Sequence, residues 1–220
     1  MPRDQYQSSI FEIKPIALDL HEASVEYWPE FYTLEESQCL YEQLVHEVAW
    51  QQDLVTVYGK QHLAPRLSCW FGEPWMDYSY SKQTMTASPM TGLLNKIKAN
   101  IEIKTGEQFN SVLVNYYRDG NDSNGWHSDD EPELGDNPTI ASLSLGAPRD
   151  FHLRHKQYKE LKHKMSLENG SLLMMSGTTQ SRWQHHIPKR AKADGRINLT
   201  FRTILKLWLK SFGYAILINR

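Results

Sequence analysis

Arg196-Ile197-Asn198-Leu199-Thr200-Phe201-Arg202 alternates polar and apolar residues without interruption. Read as a strand, it sets Arg196, Asn198, Thr200 and Arg202 on one face and Ile197, Leu199 and Phe201 on the other. Two placements are open. On a sheet edge the polar face simply meets water. In a core strand the same four side chains turn inward, which is costly unless each finds a partner. Two inward guanidiniums also need anions, and a small dicarboxylate supplies two with bidentate geometry.

The surrounding sequence favours a sheet sandwich. Val112 and Val114 alternate with Leu113 and Asn115, and the segments 139–146 (TIASLSLG), 150–155 (DFHLRH), 171–176 (SLLMMS) and 197–205 (INLTFRTIL) follow, parted by Gly, Pro, Asp and Asn. Two helices come first. Thr33-Leu34-Glu35-Glu36 matches a capping box, after which Leu40, Tyr41, Leu44, Val45 and Val48 share one helical face. Ser88-Pro89 announces a second helix that carries Leu93, Leu94, Ile97 and Ile101 on one side and stops at Gly106. Helices ahead of at least six short strands predict an α+β fold with supporting helices packed on one side of a β-sandwich or jelly roll.

With 220 residues, 40% hydrophobic and 23% charged, the chain suits one globular domain with short extensions. The expected divisions are a partly ordered extension over 1–26, the domain over 27–205, and a C-terminal tail over 206–220. A formal net charge of -2 gives no whole-molecule attraction to nucleic acid, so any such partner is held by a local basic patch. Cys39 and Cys69 lack CxxC spacing, which argues against a disulfide framework or a thiolate zinc site and for a reducing compartment. The N-terminal MPRDQYQSSIFEIK has no signal-like apolar run, and no stretch reaches the roughly 18 apolar residues that span a bilayer. The expectation is a monomer without a membrane partner, not secreted, cytoplasmic in a bacterial cell or nuclear in a eukaryotic one.

His127-Ser128-Asp129 is an HxD pair, and residues two apart on an extended segment can direct an imidazole and a carboxylate at one ion. The pair alone is weak, because a chain with nine His throws up such pairs by chance. A third ligand must come from a distant strand, and Trp183-Gln184-His185-His186-Ile187-Pro188 offers both His185 and His186. Two His and one carboxylate leave open positions on an octahedral ion, the arrangement of Fe(II) oxygenases. The polar face from Arg196 to Arg202 then suits a dicarboxylate cosubstrate such as 2-oxoglutarate.

In their order, these residues resemble the AlkB family of Fe(II)/2-oxoglutarate-dependent nucleic-acid dealkylases. The resemblance runs from about Val55 to Ile204. It includes Asn115-Tyr116-Tyr117-Arg118-Asp119-Gly120, Trp126-His127-Ser128-Asp129-Asp130-Glu131, Ile140 to Gly146, Arg154-His155-Lys156, Gly170 to Met175, and Arg196 to Arg202. The flanking sequence looks most like the two vertebrate DNA-repair branches. The resemblance implies a double-stranded β-helix (jelly roll) fold, selects His185 as third ligand beside His127 and Asp129, and makes Fe(II), 2-oxoglutarate and O2 the cofactors. It matches Asn115 and Arg202 to contacts near the iron-proximal carboxylate of 2-oxoglutarate, and Tyr117 and Arg196 to holders of the distal one. Asn198 and Thr200 line the same face.

The implied reaction removes N-alkyl groups from bases such as 1-methyladenine and 3-methylcytosine in DNA, releasing formaldehyde, succinate and CO2. A stacked base cannot reach such a centre, so it is flipped or already single-stranded. Tyr78-Ser79-Tyr80 offers two aromatics on one face of an extended segment as a stacking platform. By the family match, Tyr80 pairs with His127 across the base while Asp130 and Glu131 meet the lesion. Val57-Tyr58-Gly59-Lys60 resembles the hairpin that some members insert into duplex DNA, although tyrosine departs from the usual apolar wedge. Arg154, Lys156, Lys159, Lys162, Lys164, Lys189, Arg190 and Lys192 are candidate phosphate contacts on loops. Alternatives are a 2-oxoglutarate dioxygenase acting on RNA or tRNA bases or another non-DNA substrate, and a jelly-roll binding module whose metal is structural or absent.

Overall fold

A computed structural model of the chain describes residues 14–57, 59–73, 75–80 and 83–205. Among them the order runs β1 (Ile16–Leu18), β2 (Ser24–Trp28), α1 (Leu34–Glu47), β3 (Leu54–Val57), β4 (Lys60–Leu63), β5 (Leu67–Phe71), β6 (Asp77–Tyr80), β7 (Gln83–Thr86) and α2 (Gly92–Thr105). Then follow β8 (Ser111–Tyr117), β9 (Asn124–His127), a single 3-10 turn, β10 (Ile140–Gly146), β11 (Arg149–His155) and β12 (Lys162–Leu167). The remainder is β13 (Leu172–Ser176), α3 (Thr179–Arg182), β14 (Trp183–Ile187) and β15 (Arg196–Arg202). A seven-stranded sheet in the order β1-β2-β13-β10-β15-β8-β5 faces a four-stranded sheet in the order β12-β11-β14-β9. β3–β4 and β6–β7 are separate two-stranded hairpins.

The alternation in β15 now has its explanation. The strand pairs on both sides, with β10 and β8, and all seven residues are buried. Ile197, Leu199 and Phe201 join the core under the helices, with Leu44 and Val48 at α1 and Leu94, Ile97 and Ile101 of α2. The other face looks into the sandwich. There Leu113, Tyr117, Leu173 and Met175 of the large sheet meet Phe151, Leu153, Trp183 and Ile187 of the small one. The edge-strand placement is thereby excluded, and the polar residues of β15 are interior.

Several boundaries move, each for a backbone reason. The capping box forms as expected: Glu36 N donates to Thr33 Oγ1 (3.2 Å) and Thr33 N to Glu36 Oε2 (2.9 Å). The second helix starts later than Ser88-Pro89. Ser88 spends its backbone groups on a bridge, donating to Trp70 O (2.9 Å) and accepting from Gly72 N (3.0 Å), so Thr91 becomes the cap of Leu94 N. That helix ends as expected at Gly106, whose φ of 77° is the left-handed cap position. β15 stops at Arg202 rather than 205 because its partner β8 begins at Ser111, directly opposite. Beyond it the Asn110 side chain holds both backbone groups of Ile204 (2.8 and 2.9 Å).

β1 and the first half of β2 lie within the stretch expected as an N-terminal extension, yet β2 pairs with β13 and so belongs to the large sheet. The division at residue 26 therefore falls inside a strand. β12 was not foreseen; it places Lys162 and Lys164 on a strand rather than a loop. The tail 206–220 lies outside the described residues. No helix among the described residues is long and apolar enough to cross a membrane.

Candidate metal and cosubstrate site

His127 is the last residue of β9 and stands opposite His185 of β14, with ring centroids 4.3 Å apart. Asp129 lies past the end of the strand, so simple strand alternation does not aim it. Two bonds do: Asp129 N donates to Gln180 Oε1 (2.9 Å), and Ser128 Oγ donates to Trp183 O (2.8 Å). Both tie the segment to α3 and the start of β14. The ligand atoms of His127, Asp129 and His185 all lie within 4.8 Å of one another. His186, the other candidate, points from the opposite face of β14, where alternation sends it.

The protonation states suit a cation. Burial would raise the Asp129 carboxyl, but Arg202, His185 and His127 outweigh it and hold it at about 2. Arg202 Nη2 donates to Asp129 Oδ1 at 2.6 Å, and His185 Nε2 stands 3.7 Å from Oδ2. Burial, with the neighbouring His127, pushes His185 down to about 3, and burial lowers His127 despite Asp129. At neutral pH the site thus presents one carboxylate and two neutral imidazoles, the forms that bind metal.

A stability prediction follows for the metal-free protein. The unfolded chain takes up its His185 proton near pH 6.5, whereas the folded one does so only near 3. The unfolded state therefore binds more protons in that interval, and stability falls as pH drops through it. The Asp129 carboxylate adds a further loss between about pH 4 and 2. Chemical denaturation at stepped pH should show a declining midpoint from about pH 6.5 downward, with the His185 part missing in His185→Ala; an unchanged slope in that variant counts against the assignment.

Behind the three candidate ligands runs a cavity floored by β15 and β8. Arg196 stands opposite Tyr117, and Asn198 opposite Asn115. All four line the cavity together with Thr200 and Arg202. Arg196 is 1% exposed; its Nη2 donates to Ser144 Oγ (2.9 Å), while Nε and Nη1 are buried without a hydrogen-bond partner. Its guanidinium carbon sits 5.3 Å from the Tyr117 ring centroid. Burial drives its pKa down to about 10, a sign of a cation short of counter-charge. Asn198 and Thr200 are already satisfied: Asn198 Nδ2 donates to Ser142 Oγ (2.8 Å) and Leu143 O (3.0 Å), and its Oδ1 accepts from Thr200 Oγ1 (3.0 Å). They shape the wall. Asn115 Oδ1 accepts from Arg66 Nε (2.8 Å).

The other expected residues fall as follows. Asp130 is exposed and accepts from Lys156 Nζ (2.8 Å), which also donates to Gln180 O (2.8 Å); Glu131 follows it at the 3-10 turn. Gly59 and Lys60 are exposed at the bend of the β3–β4 hairpin, where Gly59 has φ of 76°, while Tyr58 lies outside the described residues. Tyr78, Ser79 and Tyr80 are on β6, paired with β7, and their side chains lie outside the described ones, the pairing of Tyr80 with His127 included. Of the cations, Lys159, Lys189, Arg190 and Lys192 are exposed outside the strands, and Arg154 lies in β11. Sequence reasoning missed Gln180, which holds Asp129; Asn124, whose Nδ2 lies 3.2 Å from His127 Nε2; and Ser144 at Arg196. No local pattern marks any of the three.

A jelly roll that carries two His and a carboxylate at its open end, with an unmatched buried arginine behind them, defines a non-haem iron protein with an acidic cosubstrate. The comparisons agree. The profile of the 2OG-Fe(II) oxygenase superfamily matches residues 24–202. Alpha-ketoglutarate-dependent dioxygenase alkB homolog 3 of Rattus norvegicus is 43% identical over 187 residues, covering 80% of this chain and 63% of that protein. DNA oxidative demethylase ALKBH2 of Homo sapiens is 41% identical over 159 residues, covering 69% of this chain and 61% of that protein. The solved structure of OsALKBH1 shares the fold, with a TM-score of 0.59 at 18% identity over 81% of this chain and 97% of that one. The chain belongs to the 2OG-Fe(II) oxygenase superfamily and, within it, to the AlkB family. It spans a little under two thirds of the length of the alkB homolog 3 relatives.

Proposed function

We propose that the protein is an Fe(II)- and 2-oxoglutarate-dependent dioxygenase that demethylates N-alkylated bases in DNA, 1-methyladenine and 3-methylcytosine among them. The observation that carries the reading is Arg196: a buried guanidinium with two unanswered N–H groups at the rear of a cavity whose front holds His127, Asp129 and His185. A carboxylate meeting Nε and Nη1 would relieve that desolvated charge, while the other end of the dicarboxylate reaches the metal side. The relatives, a DNA oxidative demethylase among them, support a nucleic-acid substrate.

When bound, the metal and 2-oxoglutarate would activate O2, which is the oxidant: one oxygen atom goes into succinate as 2-oxoglutarate loses CO2, the other hydroxylates an N-methyl group, and the resulting hemiaminal loses formaldehyde. The protein's part is placement and charge. His127, Asp129 and His185 would hold the cation, their carboxylate and neutral imidazoles needing no prior proton loss. Arg202 neutralises Asp129 through Oδ1, the oxygen other than the one beside His185, and fixes its rotamer. Arg196 and Tyr117 would anchor the distal carboxylate, and the Asn198–Thr200–Ser142 network keeps that wall rigid. The β3–β4 and β6–β7 hairpins and Asp130 are assigned to the nucleic acid.

Anaerobically purified protein should be given Fe(II), 2-oxoglutarate, O2 and oligonucleotides bearing 1-methyladenine or 3-methylcytosine. The expected result is a loss of one methyl group by mass, with formaldehyde and succinate formed alongside. Consumption of 2-oxoglutarate with no change in any DNA oligonucleotide would refute the DNA assignment, and turnover of the matched RNA alone would move the substrate to RNA. Absence of both iron binding and 2-oxoglutarate consumption would leave only a binding module.

A further inference from the structure

β9 is a weak place to mount a metal ligand. It is the edge strand of the small sheet, only four residues long. Its pairing with β14 is irregular as well: His185 faces His127 and Ile187 faces Asn124, so three steps on β9 match two on β14. Short, bulged edge strands specify register poorly, and a one-residue slip would carry His127 to the outer face. Past His127 the Ser128 and Asp129 bonds tie the chain to β14 and α3, but within β9 itself something other than the ladder must hold the register.

The outer face supplies it. Trp126 precedes His127, and His186 follows His185; their rings stack with centroids 3.9 Å apart and planes 27° from parallel. The stack thus lies directly behind the inner His127–His185 pair. Arg154 of β11 places its guanidinium carbon 4.2 Å from the Trp126 centroid. That guanidinium is fixed in turn by Gln184 Oε1, which accepts from Nε (3.0 Å) and Nη2 (2.9 Å). At the other end His152 Nδ1 lies 3.1 Å from His186 Nε2. Three strands are joined in one plate of planar groups.

We propose that Trp126 and His186, capped by Arg154, are positioning residues for the metal centre, pinning β9 to β14 in the register that sets the two ligand imidazoles side by side. The inference rests on the reading of His127, Asp129 and His185 as metal ligands. The role needs a flat ring at both positions and no metal-binding atom at either. Residues that orient metal ligands are typically worth about 10–100-fold in metal affinity.

The test is Co(II) and Mn(II) binding by the full chain without iron or nucleic acid, read by titration and by the Co(II) visible spectrum. Trp126→Ala should weaken Co(II) binding by about 10–100-fold and alter the spectrum, and Trp126→Phe should restore both. His186→Phe should bind like wild type, whereas His186→Ala should be impaired. If Trp126→Ala proves unfolded by circular dichroism, the His186 pair decides alone. Wild-type affinity and spectrum in folded Trp126→Ala would overturn the proposal, as would loss of binding in His186→Phe equal to that in His186→Ala. Failure of the wild type itself to bind Co(II) or Mn(II) would instead remove the metal reading beneath it.

Discussion

Asp129→Ala is expected to abolish turnover, remove measurable metal binding and lower the stability of the metal-free protein. The first two effects follow from losing one of the three proposed ligands. The third comes from the other side of the carboxylate, where Arg202 is 2% exposed and 2.6 Å away. Breaking a buried ion pair by deleting one partner costs about 3–5 kcal/mol, far more than the pair contributes over an apolar substitute. Asp129→Asn separates the roles: the amide oxygen can still accept from Arg202 while the ligand charge is gone. It should recover much of the stability and little of the metal affinity. Urea unfolding and Mn(II) titration of the three proteins would decide, and tight Mn(II) binding by Asp129→Ala would remove Asp129 from the ligand set.

Arg196→Met makes the opposite prediction for stability. The wild-type guanidinium is buried with two N–H groups unanswered, so an apolar side chain of similar length should leave the protein without 2-oxoglutarate equally stable or more so. Metal binding should persist, since Arg196 touches none of the three ligands. Affinity for 2-oxoglutarate should fall by about 2–5 kcal/mol, the typical loss on truncating one partner of a buried charged hydrogen bond. Calorimetry on the Mn(II) form measures this without turnover, and thermal melts with and without 2-oxoglutarate report the linked stabilisation. Unchanged affinity would place the distal carboxylate elsewhere; destabilisation of the unliganded protein would mean that Arg196 serves the fold.

These two residues mark how far sequence reasoning reached. The β15 alternation was legible because side-chain direction along a strand has period two whatever surrounds it. Whether its polar face met water or the interior was not, because that depends on neighbours: β15 lies between β10 and β8, and their placement is set by pairings across the whole chain. The same limit applied to His185 and His186. Adjacent positions carry the same chemistry in the sequence, and only the facing of β14 sends one inward beside His127 and the other outward onto Trp126.

Local signals survived intact where the interaction was itself local. The Thr33 capping box and the Gly106 helix stop each need only a few consecutive residues. The start of α2 was misread because Ser88 is recruited by Phe71, seventeen positions earlier, into a bridge that no helix rule anticipates. β12 hid for a related reason: its exposed lysines read as loop cations until β11 gave it a partner. The amino-acid order thus settles which groups exist and which way neighbouring ones point, including two histidines, a carboxylate and two arginines with the chemistry of an oxygenase site. Tertiary structure alone decides which converge, because Gln180 reaches Asp129 across 51 positions and Arg202 across 73. It also decides which stay unanswered: Arg196 carries its full desolvation only once both sheets have closed over it.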